Sequence, residues 1–382
     1  MQRDDLPSDA PGRYVPYGRV AYYHPDDLPP DLDLDFGAEF QNTLQKTLYQ
    51  LGQLNGIGAE SSVSPVVYTS LVRREAVESV LVEGADLDFE DMFHPEKVDS
   101  GETTKDVQEA LNYERAIREG AQRVTETSEI TLELLKELHS ILLDGVRDEA
   151  EHLGEFRQNP VHIPPPETYG TPFVPPAPGR INGLMQNLER YVNRGGEYHD
   201  LVDLGIVHYQ FETIHPFGDG NGRLGRVLIT LQLILEGYLN DPFLYPSAYF
   251  NEHKIEYVTR MRAVSEEGAW EPWLRFFVEG ICQQAADAVT RTERLRELRR
   301  EYEREYGHEK TATDRLAMRL FEQPYVTTAE VAELLDVSHQ TARNAITELE
   351  AAGVLEETTG KERYQEFRAV NIFEILTESF ER

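Results

Sequence analysis

The sequence predicts a mainly α-helical protein that carries a short irregular flap and a separate small module at its C-terminal end. Each stripe of apolar residues at helical spacing indicates a helix face buried in a core. Such stripes are formed by Leu44, Leu48 and Leu51, and again by Leu132, Leu135, Leu138 and Leu142. Strand-like alternation is missing between them. Seven prolines within residues 161–178 exclude a helix there, because proline lacks an amide donor and restricts its predecessor.

The elements follow in order along the chain. Residues 1–36 are rich in Pro and Asp and show no sustained apolar period, so we expect a flexible arm. Residues 37–129 have helical periodicity. After the flap, helices are predicted over residues 181–192 and 201–213, and the second is apolar on most sides and therefore central.

A long helix is predicted to begin at Pro272 and to continue into a charged connector over residues 286–310. Residues 311–382 form the separate module. Thr327 and Ser338 each precede a short helical pattern and are suited to cap it. Gly353 ends the second helix, and the remainder predicts a two-stranded wing.

Composition limits the class of protein. The 382 residues suit two or three folding units. There is no basic start followed by an apolar stretch, as in a secretory signal, and no apolar run long enough to span a bilayer. The lone Cys282 permits no internal disulfide. We therefore expect a cytoplasmic protein without a membrane partner.

The charge is strongly acidic: 69 Asp and Glu against 37 Lys and Arg give a net charge of −32. Such a surface repels itself in dilute buffer, whereas molar salt shortens the Debye length to about 3 Å and screens the repulsion. Because the acids are spread along the chain, we predict a halophilic protein. The alternative is an acidic patch that binds a partner. Neither interpretation favours nucleic acid as a partner by charge alone.

Residues 215–226, His-Pro-Phe-Gly-Asp-Gly-Asn-Gly-Arg-Leu-Gly-Arg, stand apart from the rest of the chain. Their glycines permit positive φ and leave backbone amides uncovered, so that the amides can converge on an anion. The apolar run that follows is predicted to continue as a helix, whose positive end would face that anion.

The side chains of this segment suit a polyphosphate. Arg223 and Arg226 are three residues apart and lie on one side of a helical turn, where forked donors suit phosphate oxygens. Asp219 offers a hard carboxylate for Mg²⁺, and His215 offers a base. The alternative is a glycine-rich helix start with a capping Asp and a buried His. The sequence has neither the Walker phosphate-loop pattern nor the strand and helix alternation of a dinucleotide-binding fold.

The segment resembles the Fic (Fido) family motif, His-Pro-Phe-x-Asp/Glu-Gly-Asn-Gly-Arg-x-x-Arg, at every fixed position. The resemblance implies an all-helical Fic core with a short flap hairpin over residues 130–285. It also implies transfer of AMP from ATP to a Tyr, Thr or Ser hydroxyl of a target protein. UMP transfer and removal of AMP by the same site stay open.

The resemblance further implies a role for each residue of the motif. His215 would deprotonate the attacking hydroxyl, and Asp219 would hold Mg²⁺ on the α- and β-phosphates. Arg223 and Arg226 would grip the distal phosphates. The remaining nucleotide-binding residues would be Gly220, Asn221 and Gly222, which supply the anion nest, together with Leu224 and Gly225.

Three other segments are similar to parts of the same family. Residues 79–84, Ser-Val-Leu-Val-Glu-Gly, resemble its inhibitory-helix pattern. By that likeness Ser79 and Glu83 are regulatory, and Glu83 pairs with Arg226 and displaces the γ-phosphate. The alternative is an ordinary helix end. The proline-rich segment is similar to the family's flap, which pairs with an extended target segment. Tyr257 lies in a stretch that similar proteins place beside the nucleotide base.

The C-terminal module resembles a winged helix-turn-helix, which favours a second hypothesis: a DNA-binding transcriptional regulator that uses the core as a nucleotide sensor. The module has seven basic and fourteen acidic residues, a balance that disfavours phosphate contacts. The side chains placed to contact bases are His339, Gln340, Arg343 and Asn344. Interaction with a protein, or formation of a homodimer, is the alternative.

Overall fold

The structure is a computed structural model. It describes residues 6–7, 10–17, 20–32, 37–58, 65–93, 105–146, 152–165, 170–360 and 364–378. Within these residues the chain forms fourteen α-helices and five short strands, as the mainly helical prediction requires. None of the helices described is long and apolar enough to cross a membrane.

The helices that precede the C-terminal module are α1 (Gly37–Gly58), α2 (Pro65–Glu83), α3 (Lys105–Thr127), α4 (Leu132–Leu142), α5 (Pro178–Arg194), α6 (Asp200–Ile214), α7 (Asn221–Leu235), α8 (Ser247–Glu252), α9 (Lys254–Glu267) and α10 (Trp270–Tyr306). The leucine stripes of α1 and α4 are directed into the core. The predicted central helix is confirmed, since nearly every residue of α6 is buried.

Helix α6 packs against α5, α7 and α10. Its Gly205 permits close approach to α10, because a Cβ there would lie 2.9 Å from Leu274 and 3.2 Å from Phe277. The indole of Trp273 donates a hydrogen bond of 3.0 Å to the Gly205 carbonyl. This dense contact fixes α6, whose C-terminal end begins the motif segment.

The expectation of a flexible N-terminal arm is wrong for residues 12–17 and 20–25. They form two antiparallel strands, β1 (Gly12–Tyr17) and β2 (Val20–Pro25), with Gly12 opposite Pro25. Tyr23 is fully buried, and its N–H donates to the Val174 carbonyl of the flap at 2.8 Å. Prolines interrupt the apolar alternation of these short strands, so the sequence pattern did not predict them. Buried tyrosines on both strands hold the pair against the rest of the protein.

The flap over residues 161–178 closes through one antiparallel bridge, in which Ile163 and Phe173 exchange two hydrogen bonds of 2.9 Å. The flap packs on the N-terminal strand pair through Phe173, whose ring centroid lies 5.2 Å from that of Tyr23. Residues 166–169 of the flap lie outside the described part of the chain.

Helix α10 has 37 residues and runs without interruption through the boundary expected at residues 285 and 286. The C-terminal module follows, with α11 (Ala312–Arg319), β3 (Tyr325–Thr327), α12 (Thr328–Leu335), α13 (His339–Ala351), β4 (Leu355–Glu357), β5 (Glu366–Ala369) and α14 (Val370–Thr377). The sheet has three strands in the order β3, β5, β4. The sequence predicted only two, because β3 is three residues long. It also missed α14, which begins directly where β5 ends.

Candidate active site

A cavity of about 470 Å³ lies between the flap, α6, α7, α9 and the end of α2. Part of its wall is charged or polar, formed by Glu83, Glu212, Thr213, His215, Gly222 and Arg226. Much of the rest is apolar, formed by Val82, Ile163, Pro164, Pro165, Phe173, Ile255, Tyr257, Val258 and Met261. A cavity of this size with a few convergent polar groups is typical of a small-molecule site.

The motif segment begins where α6 ends. His215 has the left-handed conformation, with φ of 49°, and its N–H donates to the Phe211 carbonyl at 3.0 Å. The loop that follows is closed by Asn221, whose amide oxygen accepts from the Phe217 N–H at 2.8 Å and whose amide nitrogen donates to the Phe217 carbonyl at 3.0 Å. The Asn221 side chain therefore shapes the loop and is not directed at a ligand.

His215 lies on the cavity wall as a neutral base. Its Nδ1 lies 3.3 Å from the Glu212 carbonyl, and since a carbonyl only accepts, Nδ1 carries the proton and Nε2 is the basic nitrogen. The pKa of His215 is lowered to about 4, mainly by burial and in smaller part by the charge of Arg157. The hydrogen bond to Glu212 and the charge of Glu83 oppose this shift. At pH 7 the imidazole is uncharged and able to accept a proton.

Arg157 holds this histidine in place, a role that the sequence did not reveal. Its backbone N–H donates to the Pro216 carbonyl at 2.9 Å, and its Nε donates to the His215 carbonyl at 2.8 Å. A further guanidinium hydrogen bond of 2.7 Å reaches the Pro176 carbonyl. One buried arginine thus joins the motif loop to the flap.

His139 supports the other side of the loop and was likewise missed. Its ring stacks on Phe217 with centroids 3.9 Å apart. Its Nδ1 accepts from the Gly154 N–H, and its Nε2 donates to the Asp219 carbonyl, each at 3.0 Å. Burial lowers the pKa of His139 to about 4. The only signal in the sequence is a polar residue beside Leu138 in an otherwise apolar helix face.

The N-terminus of α7 has no side-chain cap. Gly220 occupies the N-cap position with φ of 73°, which glycine adopts without strain. No described residue accepts a hydrogen bond from the N–H of Asn221 or Gly222. These amides and the positive end of the helix dipole meet at Gly222 on the cavity wall, which is the arrangement that binds anions.

Arg226 is buried one turn further along α7 and is held by α2. Its Nε donates to the Ser79 hydroxyl at 2.8 Å, and Nη2 donates to the Ser79 carbonyl at 2.9 Å and to Glu83 Oε1 at 2.7 Å. The Glu83 carboxylate lies over Gly222, where an added Cβ would be 2.3 Å from its Oε1. Burial raises the pKa of Glu83, but the charge and hydrogen bond of Arg226, together with the charges of Arg223 and His215, lower it below its ordinary value. Glu83 is thus an anion at the open helix start.

Arg223 has a different environment from Arg226. Its Nη1 donates to Glu109 of α3 at 2.6 Å, and both side chains are buried away from the cavity lining. Asp219 is close by, with Oδ1 3.6 Å from Arg223 Nη2 and 2.7 Å from the Gly220 nitrogen. Of the two arginines expected to bind phosphate, only Arg226 lines the cavity. Leu224 is buried in the core.

The metal expectation depends on Asp219. Its side chain is 41% exposed, although Oδ2 is buried and Oδ1 accepts a hydrogen bond from the Gly220 N–H. The described residues contain no group of three or more His, Cys, Asp or Glu side chains that could hold a metal ion. Mg²⁺ is usually bound by one or two carboxylates and by the phosphates of its ligand rather than by a protein cage.

Tyr257 forms a buried part of the cavity wall. His208 Nδ1 lies 3.2 Å from the Gly225 carbonyl and must therefore be the donor, so that its Nε2 accepts from the Tyr257 hydroxyl at 2.7 Å. Tyr257 also stacks on Phe250 at 4.7 Å. The phenol is fixed by α6, and its ring contributes an apolar surface.

Three regions of the chain match known protein families. Residues 129–233 match the Fic/DOC family, residues 42–122 match the Fic/DOC family N-terminal region, and residues 313–366 match a DeoR-like helix-turn-helix domain. Over 181 residues, or 47% of the chain, the sequence is 31% identical to a protein adenylyltransferase Fic of Drosophila ananassae. The match covers 33% of that protein, so the chain spans about a third of the length of the curated relatives it matches.

Two solved structures have a similar fold. A Fic family protein from Desulfovibrio desulfuricans superposes with a TM-score of 0.58 at 21% identity, over 91% of this chain and 99% of that one. A Fic domain containing signaling protein from Bacteroides thetaiotaomicron gives a TM-score of 0.50 at 20% identity, over 64% of this chain and 95% of that one. The matched regions and the motif assign residues 42–122 and 129–233 to the Fic/DOC family, and the two solved structures show a similar fold.

Proposed function

We propose that the chain transfers AMP from ATP to a hydroxyl side chain of a target protein and that Glu83 restrains this activity. The observation that carries the proposal is the position of Glu83. Its carboxylate, paired with Arg226, lies over Gly222 at an uncapped helix start. Forked guanidinium donors and helix-start amides are groups that bind phosphate, so the carboxylate occupies the place that suits a distal phosphate of ATP.

In the proposed reaction, Nε2 of His215 takes the proton from the target hydroxyl. The hydroxyl oxygen then forms a bond to the α-phosphorus, the bond from that phosphorus to the β-phosphate oxygen breaks, and pyrophosphate leaves. A positioned general base contributes on the order of 10²–10⁴-fold. The amides of α7 and Arg226 hold the charged leaving group, so that catalysis depends on position and electrostatics. Arg157 and His139 hold the loop and are positioning residues.

Asp219 would hold Mg²⁺ together with the phosphates of ATP, and the ion would supply positive charge to the phosphate oxygens. The apolar wall that includes Tyr257 and Met261 suits the nucleotide base. The outer limb of the flap, residues 161–163, offers a backbone edge for an extended target segment. This orientation would bring the target hydroxyl toward His215.

The test is transfer of label from ATP labelled at the α-phosphate to the chain itself, with Mg²⁺ and in the molar KCl that the acidic composition favours. Glu83→Ala should raise the incorporated label at least tenfold over the wild type, because it vacates the phosphate site. Adding His215→Ala should abolish the label. Glu78→Ala is the matched control, since Glu78 of the same helix bonds to Asn251 and not to Arg226.

Two outcomes would contradict the proposal. In a parallel reaction with ATP labelled at the γ-phosphate, incorporation of label from γ-labelled ATP but not from α-labelled ATP would indicate a kinase. Label from α-labelled ATP that survives His215→Ala would remove the base from the mechanism. A parallel reaction with α-labelled UTP reports the nucleotide preference. Release of AMP from a modified protein, with no forward transfer, would instead favour the reverse reaction.

DNA binding by the C-terminal module is a second candidate function, favoured by the helix-turn-helix match and by the exposed side chains on α13. Of the arginines described in this module, only Arg343 is neither paired with a carboxylate nor hydrogen-bonded to a described residue; the others are Arg315, Arg319 and Arg368. The basic residues Lys361, Arg363 and Arg382 lie outside the described residues.

Selection from a random duplex pool tests this second function. Sequence-selective retention that is lost in Arg343→Ala and kept in His215→Ala would support a regulator. Retention that is equal for all sequences, or equal in Arg343→Ala and wild type, would count against it. The module's excess of acids predicts that any binding is weak and that, with few phosphate contacts, it depends only slightly on salt.

A further inference from the structure

Glu212 is a carboxyl group on the cavity wall that the proposed reaction does not use. It lies on α6 three residues before His215, and its backbone carbonyl is the partner of the His215 ring. Its Oε1 is buried and receives no hydrogen bond from any described residue. A buried polar oxygen without a partner is costly, so its presence beside a ligand cavity requires an explanation.

Two glycines of α7 make room for two carboxyl groups. A Cβ at Gly222 would lie 2.3 Å from Glu83 Oε1, and a Cβ at Gly225 would lie 2.1 Å from Glu212 Oε1. Because residues three apart lie on one side of a helix, both carboxyl groups lie along the same side of α7. Arg226, the next residue on that helix, is close to both.

The two carboxyl groups differ in their bonding. Glu83 accepts a hydrogen bond from Arg226, whereas Glu212 accepts none from the described residues. Burial raises the pKa of Glu212 to about 8, with Arg226 lowering it and the charge of Glu83 raising it. The groups that face Glu212 are therefore Arg226 from α7, Glu83 from α2 and the Tyr257 phenol from α9. At pH 7 Glu212 is mainly a neutral acid that can donate a hydrogen bond.

We infer that Glu212 is a nucleotide-binding residue, whose carboxylic acid donates a hydrogen bond to the phosphate group that replaces Glu83 beside Arg226. The inference rests on the proposed function, because it requires a nucleotide in the cavity. A phosphate in place of Glu83 keeps a negative charge next to Glu212, so the acid retains its proton. An ionised Glu212 would repel the same phosphate.

The test is the affinity of Mg²⁺-loaded ATP, ADP and AMP for the Glu83→Ala chain, measured by titration calorimetry at pH 7 and pH 9. Adding Glu212→Ala should weaken ATP binding about tenfold at pH 7, the worth of a hydrogen bond to a charged group. AMP, which has no distal phosphate, should bind equally to both chains. Raising the pH to 9 should weaken ATP binding to the Glu83→Ala parent.

Glu212→Gln separates the inference from a structural role, because its amide donates a hydrogen bond and does not ionise. It should bind ATP within about twofold of the parent at pH 7 and should lack the additional weakening at pH 9. Asp203→Asn is the matched control on α6, since Asp203 is bonded to Tyr191 and does not line the cavity. Melting curves confirm that each variant is folded.

The outcomes distinguish this inference from the proposed function. If the parent binds ATP and Glu212→Ala binds it equally well, or if Glu212→Gln keeps the full pH response, the assignment of Glu212 is wrong and the proposed function stands. If the folded parent binds no nucleotide at all, the proposed function fails and this inference fails with it.

Discussion

Helix α7 of the core and helices α12 and α13 of the C-terminal module begin in opposite ways. Thr327 and Ser338 cap α12 and α13 with hydroxyls that accept from backbone N–H groups three residues later, and α12 has a full capping box. Helix α7 begins at Gly220, which has no side chain to offer. In the module, side-chain caps accept hydrogen bonds from the first amides of these two helices and so stabilise them. In the core, the first amides of α7 have no side-chain cap.

The open start is stabilised from outside the helix. Asn221 closes the loop on Phe217, Arg157 donates hydrogen bonds to carbonyl groups of the loop and of the flap, and His139 supports the loop from α4. These contacts satisfy the loop without using the amides at Gly222. An uncapped helix start surrounded by rigid buried polar contacts is therefore a better indication of a ligand site than the glycine content of the loop alone.

The largest expected effect comes from breaking this support. Asn221→Ala removes both bonds to Phe217 and leaves buried polar groups unpaired, at a cost of about 2–4 kcal/mol. Label transfer in the Glu83→Ala background should fall by about a hundredfold or more, because the amides lose their common orientation. The matched control is Asn193→Ala, which removes the same pair of bonds to the Ile130 backbone far along α5. Equal transfer by the two variants would contradict the role of the loop.

The pH dependence of label transfer tests whether His215, at the end of the loop support, acts as a neutral base. His215 is neutral above its pKa of about 4, so the rate in the Glu83→Ala background should stay nearly constant from pH 7 to pH 5.5. An imidazole with the ordinary value of about 6.5 would leave roughly a tenth of the rate at pH 5.5. A tenfold fall in rate over that interval, with the chain still folded by circular dichroism, would show that burial does not lower the pKa of His215.

A smaller effect is expected when the backbone at the start of α7 is strained by a substitution and the loop contacts stay in place. Gly220→Ala places a side chain at φ of 73°, which costs about 1–2 kcal/mol for a residue with a Cβ. ATP binding should weaken about fivefold or more. Gly237→Ala is the control, because Gly237 also has positive φ, of 77°, but follows the end of α7. Equal ATP affinity in both variants would argue against a phosphate site at the start of α7.

The smallest effect on transfer is expected in the module. Ser338→Ala removes the cap of α13 and should lower the free energy of unfolding by about 1 kcal/mol. Transfer per folded molecule should not change, because this helix start contacts no part of the cavity. A loss of transfer beyond the unfolded fraction would mean that the two regions are coupled.

The sequence was most informative where chemistry is concentrated in consecutive residues. Three residues of the motif, His215, Gly222 and Arg226, line one cavity, because a loop and the helix start after it have few possible arrangements. The upstream pattern also paired Glu83 with Arg226, although the two residues lie 143 positions apart. That pairing came from family resemblance and not from local physical reasoning.

The sequence failed where tertiary packing decides. Arg223 and Arg226 are three residues apart on one helix, and both were predicted to bind phosphate. Arg223 instead pairs with Glu109 of α3 and does not line the cavity. Arg157 and His139 act through backbone carbonyls, which leave no pattern in the sequence. The strand pair that buries Tyr23 is stabilised by the flap, 150 residues away, and periodicity within a short segment cannot register such a partner.

The most direct measurement of the central claim is the affinity of ATP for the wild type and for Glu83→Ala, with AMP as the reference ligand. If Glu83 occupies the place of a distal phosphate at the open start of α7, its removal tightens ATP binding at least tenfold and leaves AMP binding unchanged. Equal ATP affinity in the two chains, or the same gain for AMP, would contradict the account.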